Sequence, residues 1–276
     1  MRIHNLNQAL GHADRLIPLK GGRDHTHGGG EVITPQAIEE LSMNAWPALQ
    51  TMLYDGWVLR YSKGYTKRAN SINPIYPSTL SINKKIEKCE AQFRSLGIDV
   101  VYKLTAYTRP ENLDRLLEEK GYERKDETIV KVIELLDFQE PVMKDVEIRN
   151  ILTKQWLDTF CQLLKVSEKN RLILQDMINI IIPEKYLLLL RQNGKVIGCG
   201  MGVIEDGFAG IYEIIIDPEL RRKGYGRQLM LNMLKYAYER GARKAYLQVV
   251  AANIPAVRLY ESLGFKEAYR YWYRIK

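Results

Sequence analysis

The sequence predicts an α/β protein with a mixed β-sheet, built as two tandem domains that each have a central sheet flanked by helices. In the second half, short apolar runs alternate with segments whose apolar residues recur at helical spacing. A strand, a glycine-containing turn, a helix and a further strand form a βαβ unit there, whose two strands are parallel. Two stretches of the first half are echoed in the second, which indicates an internal repeat.

The elements of the second half follow from periodicity and from the residues that end each segment. Asn193-Gly194 marks a hairpin, Asp217-Pro218 ends a buried strand, and Gly264 ends a short helix. The predicted strands are 146–151, 186–191, 195–204, 208–216, 244–251 and 265–275. The predicted helices are 154–166, 168–182, a helix running from the stretch 221–230 to residue 240, and 255–263.

The repeat relates residues 96–102 to residues 240–246 at a shift of 144 positions. Residues 111–122 resemble residues 254–265 at a shift of 143. The domains predicted from this repeat are a tail at 1–33, a first domain at 34–137, a linker at 138–145 and a second domain at 146–276. We expect the tail to be mobile.

All four histidines lie in the tail, beside a glycine-rich run at 28–30. His25-x-His27 could bind a metal, but no set of Cys or carboxylate residues accompanies it at a known ligand spacing. We therefore favour the mobile tail and expect no metal. A basic tail could also touch nucleic acid.

Composition and charge narrow the class of protein. A net charge of +8 and a pI near 9.2 favour an anionic ligand such as a nucleotide, nucleic acid or phosphorylated cofactor. The three cysteines are far apart, which favours a reducing compartment over a disulfide framework. No apolar run approaches the ~20 residues of a membrane span, and the N-terminus lacks the apolar core of a signal peptide. We expect a cytoplasmic protein that does not enter a membrane.

The helix that ends near residue 240 has an unusual start, with three cations and two glycines: Arg221, Arg222, Lys223, Gly224 and Gly226. Each cation at a helix N-terminus costs roughly 0.3–1 kcal/mol, and glycine is a poor helix former. Free N–H groups at a glycine-containing helix start bind anions, so the pattern predicts a phosphate site. It lacks the Gly-Lys-Ser/Thr of a Walker loop and the third glycine of a dinucleotide fingerprint.

The spacing Arg221-x-x-Gly224-x-Gly226, after a strand that ends in Asp-Pro, resembles the Gln/Arg-x-x-Gly-x-Gly/Ala signature of the GNAT superfamily of N-acetyltransferases. That family continues with a strand, an Asn, a short helix with a Tyr, and Leu-Gly-Phe before the last strand. Asn253, Tyr260 and then Leu-Gly-Phe at 263–265 occur here in that order. The resemblance spans 146–276 and implies acetyl-coenzyme A as cosubstrate and an amine as acceptor.

The resemblance also implies a role for each residue of the motif. The residues implied to hold the pyrophosphate are Arg221, Arg222, Lys223, Gly224, Tyr225 and Gly226. The backbone implied to pair with the pantetheine, and to offer an N–H to the oxyanion, is that of Ile214, Ile215 and Ile216. Asn253 would bind the pantetheine or a water. The amine would attack the thioester directly, and Tyr260 would protonate the departing thiolate or hydrogen-bond to it, although packing alone also explains a tyrosine there.

Glu213 is the candidate general base. A lysine-like amine with a pKa near 10.4 must lose a proton before it attacks, and a lone carboxylate in an apolar strand is costly unless it is paired or functional. A structural bond to a neighbouring Tyr or Arg is the open alternative. Strand alternation places the Glu213 side chain on the face of Ile215, opposite Tyr212 and Ile214. Cys199 has no histidine in its domain to activate it, so we expect no thiol nucleophile.

The two copies differ where the chemistry would lie. Shifted by 144 positions, the loop 221–226 falls on residues 77–82, which contain neither glycine nor cation. At the shift of 143 the position of Tyr260 becomes Leu117. A turn that lacks glycine and is capped by Ser or Thr can start a helix but cannot form a close, charged cradle. We predict one coenzyme site per chain, in the second domain.

The segment 56–71 alternates aromatic and basic residues. Stacking on nucleic acid is one interpretation. We favour two strands with buried aromatics and outward charges, equivalent to the central strands of the second domain.

Two classes of function remain. One is an acetyltransferase acting on a small-molecule or protein amine, and the other is an inactive coenzyme-binding module with a regulatory or assembly role. The charge also suggests an acetyltransferase acting on nucleic acid, although nucleic acid is not the favoured partner. The acceptor has no readable code in the sequence, and a homodimer is left open.

Overall fold

The computed structural model describes residues 34–276, so the predicted tail and its histidines lie outside the described residues. The helices are α1 Pro35–Ala45, α2 Ile82–Ser95, α3 Leu113–Glu119, α4 Lys154–Leu164, α5 Glu168–Asn179, α6 Tyr225–Glu239 and α7 Ile254–Ser262. The strands are β1 Gln50–Tyr54, β2 Trp57–Tyr61, β3 Ile72–Pro74, β4 Val101–Thr105, β5 Glu123–Glu134, β6 Val146–Arg149, β7 Glu184–Gln192, β8 Lys195–Glu205, β9 Phe208–Ile216, β10 Lys244–Val250 and β11 Lys266–Ile275.

The elements predicted for the second half are confirmed to within a few residues at each end. The helices α4 and α5 both stop a few residues earlier than predicted. The α4 helix stops after Leu164 because its C-cap, Lys165, adopts left-handed backbone, and Ser167 then caps α5 by accepting from the Asn170 N–H. The caps therefore divide a long apolar stretch into two helices.

All eleven strands form one mixed sheet in the order β1-β2-β3-β4-β11-β5-β10-β9-β8-β7-β6. The pairs β3–β4 and β9–β10 are parallel, and the other neighbouring pairs are antiparallel. Each parallel pair is joined by a helix, α2 or α6, so the predicted βαβ unit is confirmed and occurs twice. Side chains of α1, α4 and α5 contribute to one apolar core, and those of α6 contribute to another.

The two halves exchange their last strands. The β5 strand leaves the first half and pairs with β10 over seven residue pairs, from Lys244↔Glu134 to Val250↔Thr128. The β11 strand of the second half pairs in turn with β4, from Tyr271↔Thr105 to Ile275↔Val101. The predicted boundaries at 137 and 146 therefore stay a prediction about the chain, because the sheet itself continues across them.

The repeat is visible in four successive elements. In the first half α2, β4, α3 and β5 follow one another, and in the second half α6, β10, α7 and β11 follow in the same order and at nearly the same spacing. The two halves therefore share the second part of their fold, and each of these series ends in an exchanged strand.

The prediction of two strands within 56–71 is wrong. Only β2 lies there, and a single 3₁₀ turn at Lys67–Ala69 follows it. The Asn70 side chain accepts from the N–H groups of Ser62 and Gly64, at 2.7 and 2.9 Å, and this closes the segment into a loop. A side chain that satisfies backbone donors in this way competes with strand pairing.

Candidate active site

The central feature of the site is a gap between two parallel strands. β9 pairs with β10 only from Phe208↔Lys244 to Ile211↔Leu247, although both strands continue beyond these residues. On its other side β9 stays paired with β8 as far as Ile216. The end of β9 therefore presents backbone N–H and C=O groups toward a strand that has moved away. Such groups need a partner, and an extended chain laid in the gap could supply it.

A β-bulge at Glu213 shapes this gap. Met201 pairs with Tyr212 and Cys199 pairs with Ile215, so Glu213 and Ile214 together face the single residue Gly200. Glu213 has φ 53°, a left-handed conformation that is uncommon outside glycine. Such strain persists where the surrounding structure over-determines it, often at functional sites.

The bulge changes the predicted side-chain faces. Tyr212 and Ile215 belong to the core that includes α1, while Ile214 packs with the core that includes α6. Glu213 was predicted opposite Tyr212, and this is wrong, because both side chains contact Arg68. Its predicted positions with Ile215 and opposite Ile214 agree with the structure. Strand alternation fails here because the bulge inserts one extra residue.

Arg68, from the first half of the chain, is the ion-pair partner of Glu213. The Arg68 Nη2 atom lies 3.3 Å from Glu213 Oε1, and the Glu213 side chain is 14% exposed. The guanidinium also lies 5.3 Å from the ring of Trp46 and 5.7 Å from that of Tyr212. Burial raises the pKa of Glu213, and the Arg68 charge opposes that rise. Sequence reasoning missed Arg68, whose only signal was its place in the aromatic and basic segment.

The loop between β9 and α6 begins at Asp217, whose side chain accepts from the Glu219 N–H at 3.0 Å. Arg221 Nε donates to the carbonyl of Ile216 at 3.4 Å, which ties the loop to the end of β9. Arg222 and Gly224 both have positive φ, at 62° and 84°. The loop thus turns sharply with its cations exposed, directly beside the gap.

The start of α6 has no side-chain cap. Gly224 is the N-cap, and the Gln228 N–H makes the first helical bond to its carbonyl at 3.2 Å. The N–H groups of Tyr225, Gly226 and Arg227 have no acceptor in the part of the chain that the structure describes. In that same part no carboxylate pairs with the three cations at 221–223. Free donors and unpaired cations at one helix start form an anion site.

The two glycines of this loop have different physical roles. A Cβ on Gly224 would meet nothing within 4 Å, so its φ of 84° is what requires glycine. A Cβ on Gly226 would lie 3.3 Å from the Leu259 side chain, so the absence of a side chain there lets α6 approach α7.

Asn253 and Tyr260 both lie on the α7 side of the gap. Asn253 is the N-cap of α7, and its Oδ1 accepts from the Ala256 N–H at 3.4 Å. The Tyr260 ring packs edge-on against Phe265, and no described residue hydrogen-bonds to its hydroxyl. Burial, followed by the charge of Glu213, raises the pKa of Tyr260 to about 12. Tyr260 and Glu213 therefore share one electrostatic environment.

None of the three thiols is prepared to act as a nucleophile, although Cys199 pairs with Ile215 beside the bulge. Cys89, Cys161 and Cys199 are all buried. Burial raises the pKa of each thiol, so none is set up as a thiolate nucleophile.

Comparisons with known proteins decide the family. A family model described as "Acetyltransferase (GNAT) family" matches residues 146–265, and one described as "Probable histone acetyltransferase Rv0428c C-terminal" matches residues 35–186. The second model alone covers more than half of the chain. The chain belongs to the GNAT acetyltransferase family. It is an N-acetyltransferase of that family, as the names of its relatives also indicate.

Several relatives show how far the likeness extends. The uncharacterized N-acetyltransferase YobR of Bacillus subtilis strain 168 is 27% identical over 248 residues, which are 87% of this chain and 97% of that protein. The ribosomal protein bS18-alanine N-acetyltransferase of Escherichia coli strain K12 is 38% identical over 86 residues. That match covers 31% of this chain and 58% of the relative, so it concerns one part of the GNAT fold.

Solved structures establish the same fold. A GCN5-related N-acetyltransferase from Kribbella flavida aligns with a TM-score of 0.66 at 15% identity, over 87% of this chain and 95% of that one. A tandem GNAT protein from the clavulanic acid biosynthesis pathway aligns with a TM-score of 0.61 at 11% identity, over 87% of each chain. The tandem GNAT architecture predicted from the repeat is confirmed.

The first GNAT copy fills the equivalent of the phosphate loop with a side chain of its own. The Asp55 carboxylate accepts from the N–H groups of Thr79 and Leu80 at 3.0 and 2.9 Å, and Lys85 Nζ lies 3.1 Å away. These bonds, led by that of Leu80, hold the pKa of Asp55 well below its ordinary value. The predicted Ser or Thr cap is wrong, because Ser81 makes no capping bond.

Among residues 34–276, no helix is both long enough and apolar enough to cross a membrane.

Proposed function

We propose that the protein transfers the acetyl group of acetyl-coenzyme A to a primary amine by direct attack within a ternary complex. The observation that carries this proposal is the open edge of β9, which leads straight to an uncapped, cationic helix start. A ligand that joins an extended amide chain to a pyrophosphate has the chemistry to fill both.

The coenzyme would be held mainly by backbone groups. The N–H groups at the start of α6 and the cations at 221–223 would bind the pyrophosphate, while Ile214, Ile215 and Ile216 would pair with the pantetheine. An N–H of the same strand would donate to the oxyanion that forms at the thioester carbonyl. The amide of Asn253, whose oxygen already caps α7, could donate to the pantetheine or to a water.

Glu213 is the proposed general base. Its pKa is raised, which moves a carboxylate toward the range in which it accepts a proton from an ammonium group. The bulge turns it away from Ile214, toward the face where the first half of the chain packs. An acceptor would therefore approach from the side of Trp46 and Arg68.

Tyr260 is the proposed acid. With a pKa of about 12 it stays protonated at neutral pH, and its hydroxyl is free to donate. The amine nitrogen would bond to the thioester carbonyl carbon and form a tetrahedral oxyanion, and the carbon–sulfur bond would then break as the carbonyl forms again. Glu213 would take the proton of the amine, and Tyr260 would give its own proton to the sulfur.

The acceptor class is a primary amine. The bS18 relative is named for the amine of an alanine, and its likeness to this chain is limited to 86 residues. A small-molecule amine and a protein amine therefore both fit. Because all three cysteines are buried thiols, we place the activity in the reducing cytoplasm.

An inactive coenzyme-binding module is the second candidate. The observation that favours it is the Arg68–Glu213 ion pair, since a carboxylate already engaged by a guanidinium can be purely structural. The two candidates differ in turnover and agree in coenzyme binding.

The test combines calorimetry with acetyl-coenzyme A and a turnover assay that measures free thiol with a panel of amines. We expect one coenzyme per chain and amine-dependent thiol release. Tyr260→Phe should keep the coenzyme affinity and lose about 100-fold or more in kcat, because it removes the acid. Tyr236→Phe, which loses a hydroxyl bonded to Asn150 on the outer surface, is the matched control and should keep kcat. Binding without turnover across the panel would favour the module, and no binding would reject both candidates.

A further inference from the structure

A cavity of about 570 Å³ lies away from the acetyl-transfer site. It is bounded by α1, by the hairpin of β1 and β2, by residues 180–183 and by Glu205. Glu205 pairs with Phe208, at the first residue of β9, whereas the gap described above lies beyond Ile211. Glu213, the proposed base, is five residues further along than Phe208, about 16 Å at the rise of a strand. The cavity and the coenzyme gap are therefore separate places.

The walls of the cavity are mostly apolar. Side chains from both halves of the chain contribute to them: Met43, Pro47, Ala48, Val58, Ile180 and Ile182. Ile182 is 96% exposed, so its side chain has almost no cover in the described structure. Large exposed apolar side chains beside a concave surface of this volume are typical of a site for a small organic ligand.

The charges of the cavity are not balanced. Two carboxylates line it, Glu40 and Glu205, and neither forms an ion pair among the described residues. Arg60 also lines it, but its guanidinium donates to the carbonyls of Met43, Trp46 and Arg68. The cavity therefore holds two carboxylates and one guanidinium that is already bonded to backbone carbonyls.

Glu205 is the less satisfied of the two. Its Oε1 accepts from the Asn44 side chain at 2.9 Å, while its Oε2 is buried without a hydrogen-bond partner in residues 34–276. A buried acceptor left without a donor costs free energy, and a charged one costs more. The positive charge of a cation in the cavity would offset part of that cost.

We propose that this cavity binds an organic cation, a protonated amine carried on an apolar body. The ammonium group faces Glu205 and Glu40, and the apolar body lies along Met43, Ala48 and Ile182. An anion is excluded by the two carboxylates, and a metal ion lacks ligands, since no group of three or more His, Cys, Asp or Glu residues gathers within residues 34–276. The site does not depend on acetyl transfer.

Calorimetry on the full chain without coenzyme tests the proposal with 4-phenylbutylamine and its uncharged analogue 4-phenylbutan-1-ol. We expect one amine per chain and much weaker binding of the alcohol. Glu205→Gln keeps an oxygen for Asn44 but removes the charge. It should weaken the binding of the amine about ten-fold or more. Asp206→Asn removes the same charge one residue away on an exposed turn and should leave the affinity within about two-fold.

A second variant separates this cavity from the acetyl-transfer site. Thr51 is exposed at the rim of the cavity, so Thr51→Trp should block the amine by filling space while the binding of acetyl-coenzyme A stays unchanged. Equal binding of amine and alcohol would overturn the proposal. So would amine binding that survives both Glu205→Gln and Thr51→Trp. Failure of coenzyme binding with intact amine binding would reject the proposed function and leave this site standing.

Discussion

The two copies treat the same position in opposite ways. In the second copy, the start of α6 leaves its N–H groups free and surrounds them with unpaired cations. In the first copy, the loop before α2 gives its N–H groups to Asp55, and the buried Lys85 completes the arrangement. Backbone donors near a helix start need an acceptor in either case. The first copy supplies that acceptor as the Asp55 side chain, and the second copy leaves its donors free for a ligand.

The loop before α2 in the first copy is well ordered by its own contacts even though it lacks the glycines and cations of the second copy. Lys85 lies 4.2 Å from the ring of Trp57, and Ser78 donates to the backbone of Asp55 at 2.9 Å. The former loop has thus become a structural joint between the hairpin of β1 and β2 and the helix α2. We infer that such a loop no longer has room or charge for a phosphate.

Removing the three cations of the second copy should change coenzyme affinity more than any other substitution described here. Replacing Arg221, Arg222 and Lys223 by Gln should weaken the binding of acetyl-coenzyme A at least ~100-fold, because charge-assisted hydrogen bonds contribute about 1.5–3 kcal/mol each. Calorimetry measures the change. The control replaces Lys84, Lys88 and Arg115, three exposed cations of the first copy, and should keep the affinity within about two-fold. Equal losses in the two variants would mean that only overall charge matters.

A smaller effect is expected from Arg68, the residue that the first half contributes to the second. Arg68 holds down the raised pKa of Glu213, so Arg68→Gln should raise that pKa further. If Glu213 must be deprotonated to act, the acid limb of kcat/KM should move to higher pH. A pH–rate profile from about pH 5 to 9 measures it, with Arg115→Gln as the exposed control. An unmoved acid limb would mean that Glu213 is not the base.

The smallest expected effect is a change in thermal stability, and it comes from replacing Asp55. Its folded pKa is lowered from an ordinary value of 3.8, so its contribution is present above that value and is lost as the pH falls below it. Asp55→Asn should lower Tm at neutral pH, and the gap to the parent chain should narrow below about pH 4. Thermal unfolding across that range is the measurement, with the exposed Asp99→Asn as the control. A gap that stays constant with pH would contradict the assignment.

The local features of this fold could be predicted from the sequence. Strand and helix periodicity, the hairpin at Asn193 and the Gly224 loop are all encoded by neighbouring residues, and the structure has each of them in place. The internal repeat is also present in the structure, where a shift of about 144 positions relates α2 to α6 and α3 to α7.

Most of the features that were missed depend on residues far apart in the chain. Arg68 meets Glu213 across 145 positions, and Asp55 reaches Leu80 across a hairpin and a turn. The bulge at Glu213 is local, but alternation of apolar residues assumes an unbroken strand and cannot show it. The exchange of β5 and β11 could not be predicted from the sequence either. Both segments have an ordinary strand pattern, and that pattern does not show which strands lie beside them in the sheet.

The exchanged strands bear on how the gene could have changed after it duplicated. A deletion of the first copy would remove β5, which lies between β10 and β11 and covers the edge of β10 away from the site. The surviving copy would be left with an open sheet edge and a last strand without either of its neighbours. Selection could therefore erase the chemistry of the first copy residue by residue while keeping its polypeptide. The second copy would therefore depend on the first for the completion of its sheet.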